Sequence, residues 1–371
     1  MGTIHGTEGD DRILRDHFSP GVTSDPGGLT GTDPGHSWDV IYGYGGDDII
    51  VFGYESDIAY GGDGDDRIDA REAGHVSDAY HILFGDAGDD VVLGSDTRDY
   101  LDLAFDGSTD QAEGADTLIG GLGDDLYGVD GLDDVVIERA GGGDDSVFVM
   151  SLTSYVLRAN FEDVYMWTDH SSVTGNAGDN FIYAWGSSTL RGGSGDDLML
   201  AYTGRNLLIG GSGDDQLYVY DSEWVGFHPA RDTLRGGSGD DILIGDEGAD
   251  CLIGGTGADV FTYDEVLDSV LEEYRDEIRA GDHAKAFEKP GAAKGDLIDV
   301  SAIDANIDTA EFENFVFGGT GAGTISVVDQ GVNSLVRGNI NDDADFEFQI
   351  LIRDGCVHAS AYTAEDFILS A

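Results

Sequence analysis

Residues 233–263 read TLRGGSGDDILIGDEGADCLIGGTGADVFTY, and their spacing decides the fold. Asp232, Asp241, Asp250 and Asp259 recur every nine residues, and Leu234, Leu243, Leu252 and Phe261 follow each of them at a fixed offset. The unit is Gly-Gly-x-Gly-x-Asp-x-U-x with U apolar, a repeat that supplies one turn and one short strand of a coiled parallel β structure. Glycine tolerates positive φ and lets neighbouring backbones approach, so the first half of each unit is a tight turn that exposes its carbonyl oxygens. The three residues after Asp then form a short strand whose middle side chain points inward, and two units complete one coil.

Working outward, the same register reappears along most of the chain. Asp39, Asp48, Asp57 and Asp66 form a second strict series through GYGGDDIIV and GGDGDDRID. Asp90 and Asp99 resume it after an interruption around His75 and His81, and Asp116, Asp125 and Asp134 make another. A further run carries Asp197, Asn206 and Asp215, with GGSGDD turns at Gly192 and Gly210, and a lone copy, GTEGDD, begins at Gly6. One GGxGxD is an ordinary turn, whereas many copies in phase, each with its apolar residue, are a structural repeat.

Turns one coil apart lie on the same edge at about the ~4.8 Å strand spacing of a sheet. Asp232 with Asp250, Asp241 with Asp259, Asp39 with Asp57, Asp48 with Asp66, Asp116 with Asp134 and Asp197 with Asp215 are therefore expected to stack. Calcium takes about 6–8 hard oxygen ligands, which carboxylates and turn carbonyls supply together. An ion between turns offsets the repulsion that stacking creates. Asn206, Ser188, Asn180, His81 and His75 stand at or near the Asp place without a carboxylate and predict weak or absent sites, the histidines reading as neutral surface residues.

Composition agrees. The 371 residues, enough for one or two domains, include 75 acidic and 18 basic side chains, a formal charge of −57, and 58 glycines. So many unpaired carboxylates require counter-charge from outside the chain. Nucleic acid and anionic membranes are disfavoured as partners because both need clustered Lys and Arg. The opening MGTIHGTEGDDRIL has no basic segment followed by an apolar run, so no ordinary secretory signal is expected, and no stretch is apolar enough to span a membrane. Two cysteines, Cys251 and Cys356, do not make a disulfide framework, although a single bridge between them stays open.

The repeats, across most of residues 1–262, resemble those of the RTX proteins, the hemolysin-type calcium-binding family exported by Gram-negative bacteria. The resemblance implies an all-β fold, a parallel β-roll with a β-rich C-terminal cap. It also implies calcium held by the sixth-place Asp and by carbonyls of the glycine-rich turn. Carried over, the strongest ligands are Asp241, Asp250 and Asp259 with the turns at Gly236, Gly237, Gly239, Gly245, Gly248, Gly254, Gly255 and Gly257. The remaining copies give Asp39, Asp48, Asp57, Asp66, Asp90, Asp99, Asp116, Asp125, Asp134, Asp197, Asp215 and Asp232. Their turns are Gly43, Gly46, Gly61, Gly62 and Gly64, then Gly120, Gly121 and Gly123, then Gly192, Gly193 and Gly195, then Gly210, Gly211 and Gly213.

The end of the chain is similar to the C-terminal domain of serralysin-type secreted metalloproteases, in GADVFTY at Gly257, DLIDVSAIDAN from Asp296, NINDDADFEFQILI from Asn339 and the closing TAEDFILSA. That resemblance implies a cap of further strands and an uncleaved signal for type I secretion machinery, hence an extracellular location, free or associated with the cell surface. The charged stretch around Leu267 to Lys294, read in LEEYRDEIRAGDHAKAFEKPGAAKGD from Leu271, departs from the family and reads as longer and more helical. The expected organisation is an N-terminal roll over 1–145, a splice of longer strands over 146–179, a second roll over 180–262 and the cap over 263–371.

No catalytic motif stands out. HExxH is absent, and GHSWD at Gly35 has Asp39 where a nucleophile elbow needs glycine, so Ser37 reads as a loop residue. Carboxylates on calcium are poor general acids. The expectation is a noncatalytic matrix, surface-layer or adhesion component that self-assembles or binds surface glycan. The alternative is an enzyme or accessory module on extracellular polysaccharide, for which Arg67, Arg71 and His75 are the candidate cluster. On either reading metal-binding energy is folding energy, and circular dichroism should report coil in chelator and β structure in millimolar calcium; a chain already folded in chelator would contradict this.

Overall fold

The computed structural model describes residues 3–14, 17–18, 23–24, 39–51, 56–71, 80–102, 114–220, 230–270, 274–281, 284–291, 295–307, 312–341, 345–355 and 357–370. His75, Ser37 and Cys356 lie outside them. Two compact units emerge, residues 1–168 and 169–371, each of which is a parallel β-roll.

In the first unit the repeat lays one strand of each coil on each of two sheets. One sheet runs Thr3–His5, Asp39–Gly45, Asp57–Asp63, His81–Ala87, Asp99–Leu101, Leu126–Val129, Ser146–Val149 and Asp163–Met166. The other runs Arg12–Leu14, Ile49–Val51, Arg67–Asp69, Val91–Leu93, Thr117–Ile119 and Val135–Ile137. Successive coils pair in parallel register, Asp39 opposite Asp57 and Ile50 opposite Ile68. Short antiparallel strands, Thr23–Ser24 and His17–Phe18, lie against the first strand of each sheet.

The second unit repeats the plan. Phe181–Trp185, Leu198–Tyr202, Gln216–Tyr220, Ile242–Ile244, Val260–Thr262, Leu297–Asp299 and Phe367–Ile368 form one sheet. Ser171–Thr174, Ser188–Ser194, Leu207–Ser212, Thr233–Ser238, Cys251–Thr256, Glu277–Ile278 and Phe348–Ile352 form the other. An antiparallel meander, Asn333–Asn339 with Thr324–Gln330, extends it beyond Phe348–Ile352.

The core is a thin file of inward side chains. Ile41, Ile50, Ala59 and Ile68 in the first unit, and Leu234, Leu243, Leu252 and Phe261 in the second, are fully or almost fully buried. One such side chain contributes about 1.5–3 kcal/mol, against about 1–2 kcal/mol of backbone entropy for every residue fixed. With only one or two inward side chains per strand, such as Leu243 alone or Leu217 with Val219, hydrophobic burial alone does not carry the fold.

On the outer face, in-register aromatic residues stack along the coil axis: Tyr42, Tyr60 and Phe84 at 5.1 and 4.9 Å, and Trp185, Tyr202 and Tyr220 at 5.9 and 5.2 Å. Stacked rings cover one another's faces, so these ladders support neighbouring strands.

Three expectations are corrected. Residues 146–179 do not form longer strands: Ser146–Val149, Ser154–Val156, Asp163–Met166 and Ser171–Thr174 keep the repeat's short strands. Ser146 stands opposite Asp163 and Ser171 opposite Ser188, because inward Val147, Val149, Val164 and Val173 preserve the roll's alternation without its glycines. The 267–294 stretch holds no α-helix among its described residues, only the 3-10 turn Val266–Ser269 and the strand Glu277–Ile278. Its register is set by the roll, since Cys251 pairs with Glu277 and Leu252 with Ile278. The copy at Gly6 is not alone, because its strands pair with Val40–Tyr42 and Ile49–Ile50.

The first glycine of a unit is required for space. A Cβ on Gly43 would run into both the Gly61 carbonyl oxygen and Asp48 Oδ2, whereas one on Gly9 meets nothing within 4 Å. Gly43→Ala should therefore lower the melting temperature of the calcium-loaded protein by several degrees while Gly9→Ala leaves it nearly unchanged; equal shifts in a thermal melt would refute the close-packed turn.

Candidate calcium ladder

The sixth-place aspartates form continuous ladders inside the turns. Each gives one oxygen to the backbone of the coil before it: Asp48 N–H donates to Asp66 Oδ1 at 2.7 Å, Asp66 N–H to Asp90 at 2.7 Å, Asp90 N–H to Asp116 at 2.9 Å and Asp116 N–H to Asp134 at 3.2 Å. On the opposite edge Asp39 N–H donates to Asp57 at 3.1 Å, and Asp99 N–H to Asp125 at 2.8 Å. The second unit has the same links, Asp197 to Asp215, Asp215 to Asp241 and Asp241 to Asp259 on one edge, and Asp232 to Asp250 on the other.

All six expected pairs thus lie in adjacent coils, and so do aspartates separated by longer loops. Asp66 with Asp90 and Asp215 with Asp241 bridge insertions that the ladder passes over.

The second oxygen faces the glycines. Oδ2 of Asp48, Asp66, Asp90, Asp116, Asp197, Asp215, Asp241 and Asp259 is buried without a hydrogen-bond partner. A Cβ built on Gly192 would collide with Asp197 Oδ2 and stand 2.8 Å from the Gly210 carbonyl oxygen; one on Gly210 would collide with Asp215 Oδ2 and stand 2.7 Å from the Gly236 oxygen. A carboxylate oxygen and a carbonyl oxygen of the next coil thus converge beside Gly192 and Gly210, as they do beside Gly43 and Gly61. The second glycine shapes the backbone instead. Gly237, at φ +128, adopts a conformation that an L side chain resists, and a Cβ there would strike the Gly211 carbonyl. Gly46, Gly62, Gly64, Gly121, Gly123, Gly193, Gly195, Gly211, Gly213, Gly239, Gly248, Gly255 and Gly257 share positive φ, while Gly61, Gly120, Gly236, Gly245 and Gly254 sit under their own unit's Asp.

Electrostatics makes these carboxylates poor anions on their own. Burial pushes Asp66, Asp197 and Asp259 up to about 7 and Asp90 and Asp241 up to about 8, with neighbouring carboxylates adding to the shift and the accepted N–H bonds opposing it. Asp48, Asp116 and Asp215 rise to about 6 and Asp99 to about 7, again mainly through burial. Carboxylates with cationic partners behave oppositely: Asp69 between Arg67 and Arg71 is lowered despite its burial, and Glu277, bound by Arg353 and Arg279, falls to about 2. The ladder therefore calls for bound positive charge, and its oxygen-only donors suit a hard cation such as calcium.

The uncharged members keep the hydrogen bond and lose the charge. Asn206 Oδ1 accepts from Ser188 N–H of the preceding coil at 2.9 Å, whereas Asn180 joins the ladder by donating its N–H to Asp197 Oδ1 at 2.9 Å and accepts with Oδ1 from Asn176 N–H of its own turn at 2.8 Å. His81 is buried rather than on the surface. Burial lowers it to about 4, and its Nδ1 faces Asp57 N–H at 3.4 Å, so the neutral ring replaces a ladder carboxylate.

Two sets of residues are not evident from the repeat pattern. Asp11, Asp145, Glu162, Asp276 and Asp296 extend the ladders, accepting from or donating to Asp48, Asp125, Asp145, Asp250 and Asp259. Only Asp11 and Asp145 follow recognisable turns; the others lack the glycines. The fifth-place aspartates form a second, exposed ladder of opposite polarity: Asp65 N–H donates to Asp47 at 3.1 Å, Asp89 N–H to Asp65 at 3.0 Å, Asp214 N–H to Asp196 at 2.8 Å and Asp240 N–H to Asp214 at 2.7 Å. In Asp65–Asp66 the second carboxylate holds the preceding coil and the first the following one. The repeated GDD doublet was the available signal.

The fold and site together define a calcium-binding parallel β-roll. Residues 39–53, 53–72, 82–106, 112–136, 184–217 and 229–261 match the RTX calcium-binding nonapeptide repeat family, HemolysinCabind. The chain carries RTX calcium-binding nonapeptide repeats. No curated protein matches it. Among solved structures it is similar to the AlgE6R3 subunit of the Azotobacter vinelandii mannuronan C5-epimerase, with 23% identity over 57% of this chain and 82% of that one and a TM-score of 0.23.

Because ladder carboxyls hold protons more tightly in the roll than in the extended chain, whose Asp titrates near 3.8, the folded state takes up protons between about pH 4 and 8. Stability of the metal-free roll is then highest on the acid side of that window and is lost as pH rises through it. Acidifying the chelated protein from about pH 7.5 to 4.5 should increase its β signal in circular dichroism, and calcium should bind more weakly at the lower pH. Loss of β structure on acidification would contradict the assignment.

Proposed function

We propose that this protein is a noncatalytic, exported β-roll that folds when several calcium ions fill its turns, and that it works outside the cell as a matrix, surface-layer or adhesion component. The observation that carries the reading is the row of buried carboxylate oxygens without hydrogen-bond partners. Such a chain, with its charge of −57, stays extended where calcium is scarce and becomes compact where calcium is plentiful. That property suits passage through a channel followed by folding on the far side. The closing TAEDFILSA is the candidate signal for type I secretion machinery.

Two features favour structural work over catalysis. Arg67 and Arg71, which would meet an acidic polymer, are both held by Asp69, at 2.7 and 2.6 Å. The exposed fifth-place carboxylates Asp47, Asp65 and Asp89, and Asp196, Asp214 and Asp240, form regular acidic rows that calcium can bridge to a second surface. Short strands such as Thr23–Ser24 and Phe367–Ile368 at sheet edges discourage strand addition there, so association is lateral. Sedimentation velocity should show a larger species in calcium that EGTA dissolves. A monomer under both conditions, with no attachment to cells or surface glycans, would sink the proposal.

A further inference from the structure

The turn after Val135–Ile137 departs from the repeat. Where other units carry their first glycine this one carries Glu138, and Asp145 follows Asp134 at more than the nine-residue step. The Glu138 side chain is buried and meets Asp125 and Asp145, with one carboxylate oxygen of each within 4.8 Å of the others.

This trio is more than an acidic cluster. Asp125 and Asp145 are each 0% exposed; each gives Oδ1 to a backbone N–H, of Asp99 at 2.8 Å and of Asp125 at 2.9 Å, and each leaves Oδ2 buried without a partner. Glu138 is oriented by three donors, Gly121 N–H at 3.2 Å and the Tyr127 hydroxyl on Oε1, and Arg139 N–H at 3.0 Å on Oε2. The nearest cation in sequence points elsewhere, Arg139 Nε donating to the Gly121 carbonyl at 2.8 Å and its guanidinium lying 3.6 Å from Asp96. Two glycines keep the space open. A Cβ on Gly120 would collide with Tyr127 Oη and Asp125 Oδ2 and stand 2.6 Å from Glu138 Oε1, and one on Gly142 would collide with Glu138 Oε2 and stand 3.3 Å from Asp145 Oδ2.

We propose that Glu138, at the first-glycine place of its turn, is a third carboxylate ligand to the calcium ion held between the turns of Asp125 and Asp145. Three carboxylates form a hard, all-oxygen donor set without the nitrogen or sulfur that zinc or copper prefers, while the Tyr127 hydroxyl, accepting from Gly120 N–H at 2.6 Å and donating to Glu138, holds that carboxylate in place. Calcium accepts irregular oxygen geometry, whereas magnesium demands a near-ideal octahedron. Glu138 supplies the carboxylate that a glycine cannot, so this turn adds a side-chain ligand where the other turns have only backbone.

Radiocalcium equilibrium dialysis on the full chain tests the site. Glu138→Gln should fold in saturating calcium, by circular dichroism, and bind one ion fewer than the unsubstituted chain; an unchanged count and affinity would overturn the proposal. Should Glu138→Gln not fold, crystals of the unsubstituted protein in calcium should give an anomalous peak among the three carboxylates, and a map with peaks in the repeat turns but none here would also overturn it. A chain that binds no calcium anywhere would overturn both this site and the function proposed above.

Discussion

Everything in this molecule depends on how one carboxylate divides its two oxygens. The sixth-place Asp accepts a backbone N–H from the neighbouring coil with one oxygen and turns the other into the glycine-rich loop of its own unit. The first interaction fixes the distance and register between coils. The second creates buried negative charge that the protein does not neutralise. Asp48, Asp66 and Asp241 show both halves at once, in their accepted N–H bonds and in an Oδ2 with no partner. The roll is thus assembled by hydrogen bonds whose acceptors call for positive charge, which links metal binding to the stability of the coil.

Glycine serves this arrangement in two ways. At the first place, as in Gly43 or Gly192, it vacates the volume where carboxylate and carbonyl oxygens converge; at the second, as in Gly237, it supplies a backbone conformation that turns the chain over the coil before. The apolar file inside is too thin to dominate, and the aromatic ladders outside add strand-to-strand contact. Where glycine is replaced the consequences are local and chemical. Glu138 brings a third carboxylate into the interior. At a ladder position His81 removes one, the ring staying neutral because burial lowers it to about 4.

Much of this was legible in the sequence because the repeat is short and strict. Nine-residue spacing of Asp with an apolar residue two places on gave the coil, its inward side chains Leu234, Leu243, Leu252 and Phe261, and the partners Asp232 with Asp250 and Asp241 with Asp259. Legibility failed where the glycines failed. Glu162, Asp276 and Asp296 occupy ladder positions with no turn motif before them, and the 146–179 and 267–294 stretches keep the roll's register through inward side chains and backbone pairing that no short pattern records.

The sequence by itself determined the class of fold, the chemistry of the donor atoms and the need for a cation, since those follow from residue type and spacing. Only the tertiary structure decided which carboxylates meet across loops of unequal length, which oxygen of each is already engaged, and that Glu138 joins Asp125 and Asp145. The physical reason is that the coil closes on itself irrespective of how many residues lie in an insertion. Neighbours such as Asp66 and Asp90, or Asp215 and Asp241, are set by backbone pairing between coils and not by their distance along the chain.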